Sequence, residues 1–292
     1  MANVKNDLEK LAEPTRDHGR AIGSILVEQG LLSPADRDEI QRYATEHGIR
    51  FGDAAQKLRL LTQRDIDLAI GQQYHYPTLP RGGNDGVSSE VIAGYLPQSE
   101  LVEPLRALRS QLNLRWVAEH KVLAITSPGR GEGRSWLAAN LATVYAQLGM
   151  RTLLIDSDMR QPRQHRLFNL NNGLGLSALL TGRASREIVA RIHPQLRLFV
   201  LTAGTLPPNP QELLGRPVFD LVLQRFSEQY DIIIMDTPAA CEVADAQIVA
   251  ARADVAVVLA RLNHTRSKQL TDTMRNLTQS GVNVIGSVIT EH

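Results

Sequence analysis

Short, mostly apolar stretches recur through the second half of the chain at 122–125, 151–156, 196–201, 231–235, 255–259 and 282–289. Each is too short for a helix that packs alone, and each reads as a strand buried on both faces. Helical periodicity fills the gaps. Leu137, Leu141, Val144 and Leu148 fall on one face before Gly149, and helices are also expected over 211–229 and 265–280. This alternation predicts an α/β domain over 101–292, a mostly parallel sheet covered by helices on both faces. The pattern over 20–80 is different. Gly23, Leu31, Leu32, Ser33 and Asp36 recur as Gly52, Leu60, Leu61, Thr62 and Asp65. Each copy reads as a short helix, a turn and a second helix capped by Ser33 or Thr62, with Asp36 or Asp65 closing a capping box. Residues 1–19 are charged, lack periodicity and are expected as a mobile tail. Residues 81–100, rich in Gly, Ser and Pro, are expected as a linker.

Candidate chemistry concentrates where the first strand meets its helix. The stretch Lys121-Val-Leu-Ala-Ile-Thr-Ser-Pro-Gly-Arg-Gly-Glu-Gly-Arg-Ser135 is strand, Gly-rich turn and helix start. Gly129, Gly131 and Gly133 let successive N–H groups converge, and the helix N-terminus adds positive partial charge, so an anion is the natural ligand. Ser135 occupies the position whose hydroxyl holds Mg²⁺ in the phosphate-loop signature; Pro128 replaces its first glycine and Arg134 its lysine. The strand at 151–156 delivers Asp156 and Asp158 at its C-terminal end, the edge at which open α/β sheets bind ligands. The strand at 231–235 ends in Asp236, a second acid suited to Mg²⁺. Asp245 reads either as a further acid facing that site or as a helix cap. Upstream, Glu103, Arg106 and Arg109 are three apart on a predicted helix and share a side of it.

Composition narrows the classes. The chain has 292 residues and a formal net charge of +1, which argues against a charge-driven nucleic-acid or membrane surface. Cys241 is its single cysteine, so no intramolecular disulfide forms, as suits a reducing cytosol. No apolar run is membrane-spanning and the N-terminus carries no signal-peptide core, so membrane association is expected through a partner.

The order of motifs over 97–292 carries a resemblance. The Gly-rich loop, Leu153-Leu-Ile-Asp-Ser-Asp-Met-Arg-Gln-Pro162, Gly175-Leu-Ser-Ala-Leu-Leu-Thr-Gly182, Leu206-Pro-Pro-Asn-Pro-Gln-Glu-Leu-Leu214 and Asp236-Thr-Pro238 are similar to the bacterial tyrosine kinases of polysaccharide export, of the chain-length determinant type. The module at 20–80 resembles the N-terminal domain of type II secretion and pilus ATPases. The resemblance implies a deviant-Walker P-loop fold, with ATP and Mg²⁺ as cofactors. It implies that Gly129, Arg130, Gly131, Glu132, Gly133, Arg134, Ser135 and Trp136 surround the ATP phosphates. Ser135, Asp156 and Asp236 would hold Mg²⁺. Asp156, Asp158 and Arg134 would be catalytic, with Asp156 or Asp158 nearest the incoming tyrosine hydroxyl. Glu103, Arg106 and Arg109 match the family's Glu-x-x-Arg-x-x-Arg helix and imply self-association into a ring. A membrane chain-length protein, a polysaccharide co-polymerase, is the implied partner, at the cytoplasmic face of the inner membrane.

Departures from the pattern define the alternatives. Arg134 in place of lysine implies weakened turnover, which leaves room for a nucleotide-responsive regulatory subunit. The family's tyrosine cluster follows the last strand, whereas no tyrosine follows Tyr230 here, so no tail acceptor is expected in this chain. Partitioning and division-site ATPases, a further alternative, carry a signature lysine where Gly129 stands. Some relatives of the small module bind cyclic di-GMP through Arg-Leu-Gly repeats. Only Arg50-Phe51-Gly52 comes near that pattern, with Arg20 displaced by one residue, so a protein-interaction module is favoured over a nucleotide sensor.

Overall fold

A computed structural model describes residues 22–28, 30–63, 65–66, 69, 78–79, 86–117 and 120–291. The expected mobile tail at 1–19, Arg20 and the start of the expected linker lie outside them. The chain divides into two compact units between residues 78 and 79, with 96–98 grouped with the first.

In the small unit the sequence repeat is a structural repeat. Helix α1 (Ile22–Glu28) precedes α2 (Pro34–His47), and α3 (Phe51–Lys57) occupies the place of α1 in the second copy. The capping box forms as expected: Ser33 Oγ accepts from the Asp36 amide, and Asp36 Oδ2 accepts from the Ser33 amide, both at 3.1 Å. Thr62 and Asp65 repeat the exchange at 3.3 and 2.9 Å. Equivalent apolar positions, Leu26 with Ala55 and Leu32 with Leu61, close a common core. Gly23 and Gly52 allow close approach to the following helix: a Cβ would lie 2.9 Å from Arg37 Cγ in the first copy and 3.2 Å from Ile66 Cγ2 in the second.

The two copies differ where the first helix of each ends. Gly30 has φ +70°, and its counterpart Arg59 has φ +57°, the left-handed region in which a Cβ is strained. Arg59→Gly is therefore expected to stabilise the small unit by about 1 kcal/mol, read as a higher melting midpoint of that unit in the full chain.

In the large unit, β1 (Val122–Thr126), β2 (Thr152–Asp156), β3 (Ala190–Arg191), β4 (Leu198–Leu201), β5 (Ile232–Asp236), β6 (Val255–Arg261) and β7 (Val284–Thr290) form a sheet in the order β3-β4-β2-β5-β1-β6-β7. All neighbours pair in parallel except β3, a two-residue edge strand antiparallel to β4 that the apolar pattern does not reveal. Burial of β1, β2 and β5 is complete along their length, as the uninterrupted apolar runs require. The register sets Asp156 opposite Asp236, and Ile125 of β1 opposite Asp236 on its other side. Three strand ends thus deliver two acids and the Gly-rich loop to one edge.

The helices mostly fall where expected. In chain order they are α4 (Ile92–Tyr95), α5 (Glu103–Leu112), α6 (Arg134–Gln147), α7 (Gln164–Leu167), α8 (Leu176–Leu180), α9 (Pro210–Leu214), α10 (Val218–Ser227), α11 (Asp245–Ala250) and α12 (Ser267–Gln279). The single helix expected over 211–229 is two, α9 and α10. Pro217 lacks an N–H and disfavours helical backbone at Arg216, so the chain breaks between Gly215 and Pro217.

Part of the expected linker is folded. Residues 86–95 lie on α6: Asn140 Oδ1 accepts from the Ala93 amide at 3.0 Å, its Nδ2 donates to the Glu90 carbonyl at 3.0 Å, and Gln147 Nε2 donates to the Ala93 carbonyl at 2.7 Å. The charged row on α5 also differs from a uniform solvated face. Glu103 is outward and pairs with Arg106 at 3.4 Å, whereas Arg109 is buried and donates to the Val144 carbonyl of α6 at 2.8 Å. Arg109, expected at a subunit contact, ties α5 to α6 of its own domain through this bond.

Candidate functional site

The loop between β1 and α6 takes the shape its glycines allow. Gly131 and Gly133 have φ of +71° and +94°, closed to other residues without strain, and α6 begins immediately after. The first N–H groups of α6 have no acceptor within the helix, so an anion-binding end opens at the sheet edge that carries the acids.

Side chains of the loop do not all face that opening. Glu132 is buried; its carboxylate accepts from the Gly129 amide at 2.8 Å and from the Thr265 hydroxyl. It braces the loop from behind, so of Glu132 only the backbone can meet a phosphate. Arg130 points outward to Glu242. Arg134, expected on the phosphates, donates Nε to the Thr237 carbonyl at 2.9 Å and Nη1 to Ser127 Oγ and the Gly129 carbonyl. Its planar fork matches three acceptors of the protein itself, which a point-charge ammonium does not. Trp136 contributes its carbonyl to Asn140 at 3.0 Å.

The three acids have distinct situations. Asp236 is fully buried. One oxygen accepts from Gln164 Nε2 at 2.8 Å, the Ser135 side chain lies near the carboxylate, and Oδ1 has no partner. Burial pushes its pKa up to about 6; the Gln164 bond, the Ser135 side chain and the Arg134 charge hold it down, and Asp158 pushes it further up. Asp156 is also fully buried, with Oδ2 accepting from the Arg163 and Gln164 amides, each at 2.9 Å, and Oδ1 from the Asp158 amide at 3.2 Å. Its pKa is raised first by burial and then by the Asp236 charge. Asp158 retains solvent contact, while its Oδ1 accepts from the Arg160 and Gln161 amides at 3.1 and 2.9 Å. Of the two acids expected near a substrate hydroxyl, Asp156 has both oxygens committed to backbone amides and is fully buried, while Asp158 is 8% exposed.

Gln164 is the site residue that motif spacing did not reveal. Its amide nitrogen bridges Asp236 and the Ser135 carbonyl at 2.8 and 3.0 Å, while its backbone N–H holds Asp156. A lone glutamine after Pro162 has no sequence signature; only buried acids define its value. Gln164→Ala is expected to lower stability by about 1–2 kcal/mol, measured by denaturant titration at pH 8, because it removes a donor from a buried carboxylate. Asp245 does not face the loop: it opens α11, is buried, and binds Arg160 through two bonds of 2.8 and 3.3 Å.

A magnesium–nucleotide fits these residues. The partnerless Oδ1 of Asp236, a raised carboxyl pKa and the Ser135 hydroxyl are what a hard cation would satisfy. Among the described residues no three His, Cys, Asp or Glu side chains are grouped as a metal cage. Among the same residues no helix is long and apolar enough to cross a membrane.

The sequence profile of the family described as ATPase MipZ matches residues 121–265. The putative tyrosine-protein kinase CapB of Staphylococcus aureus is 36% identical over 194 residues, 66% of this chain and 85% of that protein. Tyrosine-protein kinase etk of Escherichia coli (strain K12) is 34% identical over 194 residues, 66% of this chain and 27% of that protein. This chain therefore matches most of the length of CapB and about a quarter of etk. Among solved structures, the crystal structure of the chimerical protein CapA2B2 superposes with a TM-score of 0.67 at 31% identity, covering 77% of this chain and 99% of that one.

Proposed function

The chain belongs to the bacterial tyrosine-protein kinases, and from that premise we propose that it transfers a phosphoryl group from Mg²⁺–ATP to protein tyrosine, in regulation of exopolysaccharide chain length, polymerisation and export. One observation carries the reading. Asp236, with a bare buried oxygen, stands beside Ser135 at the head of the helix whose amides the Gly-rich loop presents.

The roles follow from position. The loop and α6 amides, from Arg130 to Trp136, hold phosphate oxygens, while the Gly129 amide is kept by Glu132. Ser135 and Asp236 hold the cation, with Asp156 behind them setting the Arg163–Gln164 turn. Asp158, the least buried of the three acids, accepts the tyrosine hydroxyl proton. When bound, Mg²⁺–ATP supplies the transferable phosphoryl group and the positive charge that stabilises it. Arg134 contributes charge near the site while bracing the loop. Partner and assembly belong to the same proposal: a membrane chain-length protein brings the chain to the inner membrane, and the outward Glu103, paired with the largely buried Arg106, serves self-association. The small unit serves as a protein-interaction module, and a cyclic di-GMP site there has only Arg50-Phe51-Gly52 in its favour.

A second reading, a nucleotide-responsive regulator, is favoured by the Arg134 contacts, which engage Nε and Nη1 with the protein's own acceptors. Incubation with ATP and Mg²⁺ followed by phosphotyrosine detection decides between them, with wild type beside Arg134→Lys. Phosphotyrosine in either chain supports the kinase. Nucleotide binding without phosphotyrosine in both selects the regulator.

A further inference from the structure

We propose that residues 86–95 act as a positioning strap for the metal-binding acids, with Glu90 its positioning residue. The inference rests on the magnesium–nucleotide reading of the site above.

The strap is a folded element. Tyr95 donates its hydroxyl to the Val87 carbonyl and closes the segment on itself. The Leu79 amide donates to the Gly94 carbonyl at 2.7 Å, and a Cβ on Gly94 would lie 2.5 Å from Leu79 Cδ1, so a larger residue there would displace the Leu79 side chain. On one side the strap is pinned to α6 by Asn140, which is fully buried and spends both polar atoms of its side chain on strap backbone.

On the other side it grips the segment that carries the site. The Ser88 amide donates to the Leu167 carbonyl at the end of α7 at 2.8 Å, and Glu90 pairs with Arg163. Arg163 and Gln164 are the residues whose amides hold Asp156, and Gln164 Nε2 links Asp236 to the Ser135 carbonyl. A carboxylate on the strap is thus one residue removed from the backbone that orients both acids. α7 is a single turn, too short to hold its own position by helix bonding. An outside anchor at each end is what fixes it, and the strap supplies both: Glu90 at the start and Ser88 at the finish.

The ion pair is half-exposed, with side chains 43% and 46% accessible, which limits its effect to a few-fold. In the full chain, binding of mant-ADP is followed by fluorescence while Mg²⁺ is titrated. Glu90→Ala should raise the half-saturating Mg²⁺ about two- to fivefold, and Glu90→Lys more. Glu90→Gln, which keeps an acceptor for Arg163, should stay within about twofold of wild type. Asn140→Leu should shift it about tenfold, by stranding the Ala93 amide and the Glu90 carbonyl. Affinity for mant-ADP at saturating Mg²⁺ should change less than the Mg²⁺ midpoint, a split that general destabilisation does not produce. If the Glu90 variants leave the midpoint unchanged while Asp236→Asn abolishes binding, the strap is overturned and the site reading stands. If wild type binds no mant-ADP at any Mg²⁺ concentration, the site reading and this inference fall together.

Discussion

Asp236→Asn is expected to make the nucleotide-free protein more stable at pH 8 and, in the same stroke, to remove its Mg²⁺-dependent nucleotide binding. The folded-state pKa of Asp236 is raised from 3.8 to about 6, chiefly by burial. A raised carboxyl pKa means the folded chain prefers the proton. Its contribution to stability is therefore complete below about pH 4 and is lost as pH rises through about 6. Above that, the fold carries a buried carboxylate with one bare oxygen, crowded by Asp156 across the β2–β5 register and by Asp158. An amide removes the charge and still accepts from Gln164. The gain at pH 8 is on the order of 1–2 kcal/mol, because the freed amide nitrogen takes back part of what the charge cost. The same charge is what a divalent cation needs. Loss of groups that merely orient a metal ligand weakens metal affinity about 10–100-fold, so loss of the ligand itself should weaken Mg²⁺-dependent binding at least that much. Thermal melts at pH 4 and 8 with mant-ADP titrations read both effects. Equal stability differences at the two pH values would show that the carboxylate is not the strained group, and retained Mg²⁺-dependent binding would remove Asp236 from the metal site.

That trade-off explains which parts of this molecule were legible in its sequence. Strands β1, β2 and β5 were readable because burial on both faces demands uninterrupted apolar residues, and the acids ending β2 and β5 stand out against them. The small unit was readable because each hairpin repeats the same turn chemistry, down to the Ser33–Asp36 and Thr62–Asp65 boxes. The interruption between α9 and α10 had its signal in Pro217, which the surrounding periodicity overrode. Other features had none. β3 is two residues long and exists only because β4 offers an edge. Residues 86–95 have a linker's composition; what folds them is Asn140 and Gln147, two buried polar side chains of α6. Gln164 and Asp245 matter through partners brought in by tertiary structure, Asp236 for one and Arg160 for the other. Composition records local preference, and these residues obtain their meaning from what lies across the sheet edge.

Arg134→Lys is expected to raise phosphotyrosine formation about 10–100-fold. The signature lysine of a phosphate loop is a compact charge on a flexible stem, free to follow the transferring group. Arg134 is neither compact nor free: its fork spans the Thr237 carbonyl after β5 and the Ser127 hydroxyl and Gly129 carbonyl before the loop. Those bonds fasten the loop to the neighbouring strand end, so moving the guanidinium onto a phosphate would abandon them all. Lysine cannot make the same set, and the acceptors it leaves are partly satisfied already, since Ser127 Oγ donates to the Gly129 carbonyl at 3.0 Å. The substitution therefore gives up chiefly the bond to the Thr237 carbonyl while releasing a cation to meet charge that develops during transfer. A well-placed electrostatic contact of this kind is worth about 10²–10³ in rate, and retuning a loop shaped around arginine gives up part of that. Single-turnover phosphotyrosine formation at saturating Mg²⁺–ATP measures the step directly. Arg134→Ala separates the charge from its placement: with no cation near Asp236, its pKa should rise further and Mg²⁺-nucleotide affinity should fall at neutral pH. If the lysine variant proves slower than wild type, the arginine itself must leave the loop and serve the phosphates.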